Sequence, residues 1–499
     1  MKKQPCIVMH RLFRRVACGF ILFLGGMFLN SPVFAVSTPQ KVDVIIVGAG
    51  IAGLAAAQEL NQQGYHILIL EAKNRVGGRV STKNAWGTSA ELGGSWLHSS
   101  QTNPLMKIIK KENIATLPTQ YTLTAPFNKF NSMMIYQGNG QLLPKLEKQK
   151  ILDLAKQFAA YIDEHQKNFT DKTSYEDAIE KFDAQKNLSA KDRKYLNYFI
   201  KDILSFDHGA ELNQITAKQP ITSEENLGPD VLFDGGGYVQ LLEKMVKNTP
   251  ILLNKRVTEI SYSKKSVAVS TASHVYNARY VIVTLPLGVL KADSVKFSPP
   301  LPKEKIAAIK KIGFGTYNKT YLLFSKPFWD KKSEWLVFFP TKEQPNELYE
   351  VLNYHKFYQQ PILLVFTAGD FAKKMETRSD EQIIDQIMHR LRSVYGPSIP
   401  QPTSFVISRW GLDPYSRGSY SYPRVGSTEQ DIEALAKPVS QRVFFAGEAT
   451  SKDDYGTVHG AYQSGIDAAK AIIKQQEKAM ENIGVTEFDT KTANVISLK

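Results

Sequence analysis

Three glycines, Gly48, Gly50 and Gly53, followed about 20 residues on by Glu71, form a pattern with a definite chemistry. In the spacing G-x-G-x-x-G the first glycine makes a tight turn. The second lets backbone approach a pyrophosphate, and the third lets a helix lie close to a strand. The helix that opens there turns its free N–H groups toward phosphate charge. A carboxylate at Glu71 can accept bonds from both hydroxyls of an unphosphorylated ribose, as in FAD or NAD. Arg75-Val76-Gly77-Gly78-Arg79 follows, two guanidinium groups around a glycine pair where phosphate or a flavin edge can approach.

A second group lies far downstream. In Tyr317-Asn318-Lys319-Thr320-Tyr321 the strand alternation puts Tyr317, Lys319 and Tyr321 on one face. Aromatic neighbours can drive Lys319 into a partly buried position, where an amine can relay a proton. On the residues alone it also reads as a solvated edge-strand lysine. Tyr420 is a candidate pocket wall or ordinary core packing. His98, in Trp96-Leu97-His98, is a candidate site histidine or a structural one.

These residues need elements to carry them. The apolar run 42–47 predicts a buried strand, 54–63 a helix stopping at Gly64, and 66–70 a second strand. That β-α-β unit builds a parallel sheet. Ile151, Leu154, Phe158 and Ile162 recur at helical spacing, so residues 100–224 should contain amphipathic helices. Residues 313–422 read as strands, and strand-like segments return at 280–284 and 442–445. A last helix is expected over 465–475, with a loose polar tail beyond Met480.

At 499 residues, 43% hydrophobic and 22% charged, the chain is a soluble globular type too long for one ordinary core. Residues 1–35 differ: Lys2, Lys3, Arg11, Arg14 and Arg15 precede an apolar run, then Pro32-Val33-Phe34-Ala35. This is a signal-peptide layout with cleavage expected after Ala35, and the run is short for a spanning helix. Export is therefore expected, to the periplasm or the medium. Arg14-Arg15 raises a twin-arginine route as an alternative to the ordinary secretory one. Loss of those five basic residues takes the net charge from +14 to +9 and removes both cysteines, Cys6 and Cys18. The mature chain then has no disulfide, no cysteine metal site and no cysteine-linked cofactor. No metal site is expected, and no nucleic-acid motif accompanies the basic charge, which suits at most weak contact with anionic envelope polymers.

The segments 71–79, Glu91-Leu92-Gly93-Gly94-Ser95-Trp96-Leu97-His98, 284–290, 313–319, 410–422, 446–449 and 457–461 together resemble the flavin-containing amine oxidase family, and among its members the polyamine oxidases most. The family includes polyamine and monoamine oxidases and the flavin-type histone-lysine demethylases. The resemblance implies FAD rather than NAD. It implies an α/β fold, a Rossmann-like FAD-binding domain (residues 38–98, 225–298 and 405–478) interleaved with an α+β substrate-binding domain (99–224 and 299–404). Residues 479–499 form the polar tail. It assigns Glu71 to the adenosine ribose, Arg79 and Gly94 to the flavin neighbourhood, and Val257 to the adenine. Glu448 falls to the ribityl-phosphate region and Val458 to a place beside the ring, at the start of the last helix. Lys319 is implied to hold a water at flavin N5, and Tyr420 to form one wall of an aromatic sandwich. Thr457 stands where monoamine oxidases carry the second tyrosine, which implies a roomier pocket; Tyr455 is a candidate substitute. His98 resembles a histidine that some polyamine oxidases place near the substrate nitrogen. Ser419 replaces the cysteine that links flavin in monoamine oxidases, so FAD should be non-covalent.

The implied activity is oxidation of a small-molecule amine, a polyamine or secondary amine, to an imine by hydride transfer to flavin N5. O2 is the expected electron acceptor, giving H2O2. Glu224 and Glu225 are candidates to guide a polycation. Two alternatives remain: an L-amino-acid oxidase of the same fold, disfavoured by Ser95-Trp96 where that branch tends to carry an arginine, and a flavin-loaded envelope protein without turnover.

Overall fold

Val44–Val47 and Ile67–Leu70 lie side by side as parallel strands, joined through the helix Ile51–Gln62. The computed structural model describes residues 42–221 and 227–481. The expected leader, Glu224, Glu225 and the tail past residue 481 lie outside the described residues. The first two strands sit within a five-stranded parallel sheet, ordered Val443–Phe445, Tyr280–Val283, Val44–Val47, Ile67–Leu70, Ile251–Leu252. All four residues of Val44–Val47 are buried, as a central strand covered on both faces requires. Val44 and Ile46 pack with the helices Ile51–Gln62 and Val458–Glu481. Ile45 and Val47 pack on the other face, toward a four-stranded sheet that includes Val257–Tyr262 and Val267–Thr271, and toward the helix Lys303–Lys311.

A second, mixed sheet has six strands, ordered Ser404–Ile407, Tyr317–Leu323, Ile362–Ala368, Tyr349–Asn353, Trp335–Phe338, Met133–Tyr136. Its pairings are antiparallel except the last, which is parallel. One face (Tyr321, Leu364, Leu352, Trp335) packs with the helices Lys145–His165, Tyr175–Lys186 and Ala190–His208. The other (Leu322, Val365, Val351, Leu336) packs with the helix Asp380–Tyr395. The chain thus has a mixed α/β fold, with both faces of the five- and six-stranded sheets packed against other elements.

Three expectations need correcting. The first helix begins at Ile51, not near residue 54, because Gly50 in extended backbone (φ −75, ψ 178) is already its N-cap. The last helix runs over Val458–Glu481, longer than the 465–475 read from the residues; it starts at Val458, where the resemblance put it, and takes in the first residues of the expected tail. Its start is fixed by Thr457, whose Oγ1 accepts the Gly460 N–H at 2.9 Å, a side-chain cap on the first turn. Within 313–422 there are helices as well as strands. Asp380–Tyr395 is opened by a reciprocal Ser379–Gln382 capping box and held by Ile383, Ile387 and Leu391 on its buried face.

Candidate active site

The carboxyl ends of the parallel strands open on a cavity of about 950 Å³, lined there by Val47, Leu70, Thr284 and Gly447. This is where an open parallel sheet leaves a crevice for a ligand. Gly48 makes the turn, at φ +108, and donates its N–H to Leu70 O at 2.9 Å. A Cβ on Gly53 would stand 2.0 Å from Gly48 O, so only glycine lets helix and turn close. Gly50 differs: nothing lies within 4 Å of its missing Cβ, and it lines the cavity, leaving backbone open to a ligand. The Glu71 carboxylate accepts the N–H groups of Ala49 (2.7 Å) and Lys73 (2.8 Å). It braces the turn and keeps lone pairs for hydroxyl donors. An open glycine, a helix N-terminus and a buried acid suit the phosphates and ribose of a dinucleotide.

The two arginines part company. Arg75 spends its guanidinium on the carbonyls of Val76, Gly78 and Val80 and holds the loop. Arg79 reaches the cavity, donates to Ser419 O at 3.0 Å and pairs with Glu448 at 2.5 Å. The other Glu448 oxygen accepts Ser421 N–H (3.2 Å), Ser421 Oγ (2.5 Å) and Gly456 N–H (2.8 Å). One buried carboxylate therefore ties together three loops at the wall. Gly94 also lines the cavity, and a Cβ on it would meet Val458 Cγ2 at 2.7 Å. Val257 opens its strand in the same wall.

Lys319 is buried at 3% exposure. Tyr317 and Lys319 line the cavity, and Tyr321 Oη on the same face donates to Glu91 O at 3.0 Å. Lys319 Nζ faces Glu91 O (3.2 Å), Gly93 O (2.5 Å) and the Ser95 hydroxyl. Burial lowers its pKa to about 7, opposed by the carboxyl of Glu91. That carboxyl is raised to about 7 by burial, against bonds from Tyr238 N–H and Thr82 Oγ1.

Tyr420 lines the cavity with its ring 5.9 Å from that of Tyr317, and its hydroxyl donates to Phe206 O at 2.6 Å. Thr457 is there too, but its hydroxyl is committed to the helix cap and to Asp454 O (2.7 Å). Tyr455 also reaches the cavity, its ring 6.3 Å from that of His208. His459 contacts Asp454 at 3.1 Å, at the start of the same helix. His98 lines the wall, and its Nδ1 lies 2.7 Å from the fully buried Asp230. Asp230 also accepts Ser99 N–H and Leu123 N–H, both at 2.8 Å. Ser419 Oγ accepts Tyr317 N–H (2.8 Å) and donates to Tyr317 O (2.9 Å).

The structure adds residues that the sequence reading missed. Asp207 and Glu350 line the cavity with Tyr121 and Trp335. Tyr121 Oη donates to Asp207 at 2.8 Å. Behind Glu350 sits Lys129, 2% exposed, 2.5 Å from Glu350 and 3.2 Å from Asp202. Burial raises Asp207 to about 6 and Glu350 to about 8, with Lys129 pulling both down. The available signal was an acid inside an apolar context: Phe206-Asp207 ending a helix, and Glu350 within Tyr349-Glu350-Val351-Leu352.

Residues 51–473 match the family described as Flavin containing amine oxidoreductase. A lysine-specific histone demethylase 1 homolog 2 of Arabidopsis thaliana is 33% identical over 92% of this chain, and the match spans 62% of that protein. Polyamine oxidase 4 of Oryza sativa subsp. japonica is 31% identical over 90% of this chain and 92% of its own. The chain spans about three fifths of the length of the demethylase homologues it matches, against nine tenths of the polyamine oxidase. A solved double mutant of putrescine oxidase superposes with a TM-score of 0.70 at 21% identity, over 87% of this chain and 99% of that one, and so shares the fold. The glycine turn, the braced acid and the matched length agree: this chain belongs to the flavin containing amine oxidoreductase family, and its cofactor is FAD.

Proposed function

We propose that the chain is an exported amine oxidase acting on polyamines or other amines that carry a second positive charge. The observation that carries this is the cavity wall two strand spacings, about 10 Å, from Lys319, where Glu350 stands with Asp207, Tyr121 and Trp335. Aromatic faces and acids together favour a cation. An α-amino acid would bring its own carboxylate to those acids, which disfavours the amino-acid oxidase reading. Relatives named as polyamine oxidases support the substrate class. The assignment to export rests on the basic and apolar residues 1–35.

FAD, when bound, supplies the acceptor for the hydride leaving the carbon beside the amine nitrogen and passes the electrons to O2 as H2O2. Gly48, Gly50, Gly53, Glu71 and Val257 would hold its adenosine and phosphate part; Arg79, Gly94, Glu448 and Val458 would hold the rest. Attachment is non-covalent, since every cysteine lies within the first 18 residues and Ser419 is bonded to Tyr317.

The amine arrives as an ammonium and must lose a proton before its lone pair can assist. We assign that role to His98: with the Nδ1 hydrogen directed at Asp230, 2.7 Å away, Nε2 would carry the lone pair. Tyr420 and Tyr317, in contact with each other at 5.9 Å, form one aromatic wall along which the chain of the amine would lie. Lys319, with its pKa near neutrality, can give up or hold a proton at Nζ as solution conditions require. Its carbonyl partners at Glu91 and Gly93 fix where Nζ sits in the wall.

An amine panel with peroxide detection tests the reading. Spermidine, spermine or an N-acetylated polyamine should turn over faster than benzylamine. The opposite order would refute the substrate class. No peroxide from any amine would leave the flavin-loaded binding protein as the better account.

A further inference from the structure

Lys129 is a fully buried ammonium that the catalytic account does not use. It reaches the cluster from the short 3-10 helix Pro126–Ser132, and its Nζ lies 2.5 Å from Glu350 and 3.2 Å from Asp202. The same Nζ stands 5.6 Å from the Trp335 ring and 5.8 Å from the Tyr121 ring. Glu350, Trp335 and Tyr121 line the cavity; Lys129 stands behind them. The protein has thus placed its own alkylammonium between an acid and aromatic faces, the surroundings an amine substrate's ammonium would seek.

Three carboxyls, Asp202, Asp207 and Glu350, face this one cation. Asp202 Oδ1 is buried with no hydrogen-bond partner, as is Ser205 Oγ one turn along the same helix. The cluster is therefore short of positive charge and of donors even with Lys129 present. Burial works against the lysine's charge, but Asp202, Glu350 and Asp207 raise its pKa overall, so it stays an ammonium.

We propose that Lys129 is a specificity-determining residue that occupies the inner cation place beside Glu350 and limits that wall of the cavity to one substrate ammonium. This rests on the reading of the cavity as an amine site. With Lys129 in place, Asp207 and the outer side of Glu350 share a single incoming cation. Without it, a second substrate ammonium would find Glu350 at the cavity wall uncompensated, and amines carrying more charge would gain.

The test is calorimetric titration of the dithionite-reduced, FAD-loaded enzyme, which binds amines without oxidising them. Putrescine carries one ammonium beyond the reacting nitrogen and spermine carries three. In Lys129→Met the preference for spermine over putrescine should rise about tenfold or more relative to wild type, and Lys129→Arg should keep the wild-type ratio. Leaving buried acids unpaired can prevent folding. Lys129→Met combined with Asp202→Asn removes the pair together, frees Glu350, and should give the same shift. An unchanged ratio in the folded double variant would overturn the assignment of Lys129. If wild type instead binds benzylamine as tightly as putrescine, the remote-cation reading of the cavity itself fails.

Discussion

Lys319 and Glu350 stand in one cross-strand row of the mixed sheet, with Phe366 paired to both. Residues in register share a face, so both side chains project to the same side, two strand spacings or about 10 Å apart. The backbone ladder therefore holds the Lys319 amine and the Glu350 carboxyl at a set separation. If that spacing selects substrates, Glu350→Gln should weaken kcat/KM for spermidine by about tenfold or more and leave benzylamine within about twofold. Steady-state kinetics on the two amines decide it, and equal losses on both would point to a structural role.

The acids of that cavity wall should make binding pH-dependent. Asp207, raised to about 6, and Glu350, raised to about 8, are neutral below those values and charged above them. Alkylamines stay protonated to about pH 9, so their own charge does not change over this range. Affinity of the reduced enzyme for putrescine should rise in two steps between pH 5 and 9, measured by titration calorimetry. Glu350→Gln should remove the upper step.

Asp230, which also braces Ser99 and Leu123, should affect turnover through His98. Fixing Nδ1–H leaves Nε2 as the base, and Asp230→Asn can present an N–H there and favour the other tautomer. We expect Asp230→Asn and His98→Gln each to lower kcat/KM by about 10²-fold, with the double variant no worse than either alone. Additive losses in the double-mutant cycle would separate the two residues.

Glu448 should govern cofactor retention and stability together. It pairs with Arg79 and accepts three donors from residues 421 and 456. Removing one partner of such a buried pair costs about 3–5 kcal/mol. Glu448→Ala should unfold at lower denaturant and elute with less FAD. Thr457→Ala, which deletes a helix cap, should cost only about 1 kcal/mol, and Thr457→Ser almost nothing.

The legible parts were those whose physics is local. The turn at Gly48, the close packing at Gly53 and the shared face of Tyr317, Lys319 and Tyr321 follow from backbone freedom and strand period. The helix Asp380–Tyr395 was also local, with Ser379 and Gln382 at capping-box spacing ahead of Ile383, Ile387 and Leu391, but the aromatic strands around it set the reading of the whole stretch. The start of the last helix at Val458 came from the resemblance and not from the residues, because the Thr457 cap that fixes it is a single side-chain bond to Gly460 N–H. The charge cluster was not legible at all. Asp207 lies at the end of a helix, Glu350 in a strand and Lys129 in a short 3-10 helix, and only strand order and helix packing bring them together. The same holds for the Lys319–Phe366–Glu350 row, which depends on which strands are neighbours.

The central claim is that this cavity oxidises an amine through bound FAD with Lys319 handling a proton. The most direct measurement is the rate of flavin bleaching on anaerobic mixing with spermidine, in wild type and in Lys319→Met. The account predicts rapid bleaching in wild type. It also predicts a loss of about 10²–10⁴-fold in the variant at unchanged FAD content, with any pH dependence centred near 7 abolished. Wild-type bleaching speed in Lys319→Met, or no bleaching by spermidine in wild type, would contradict it.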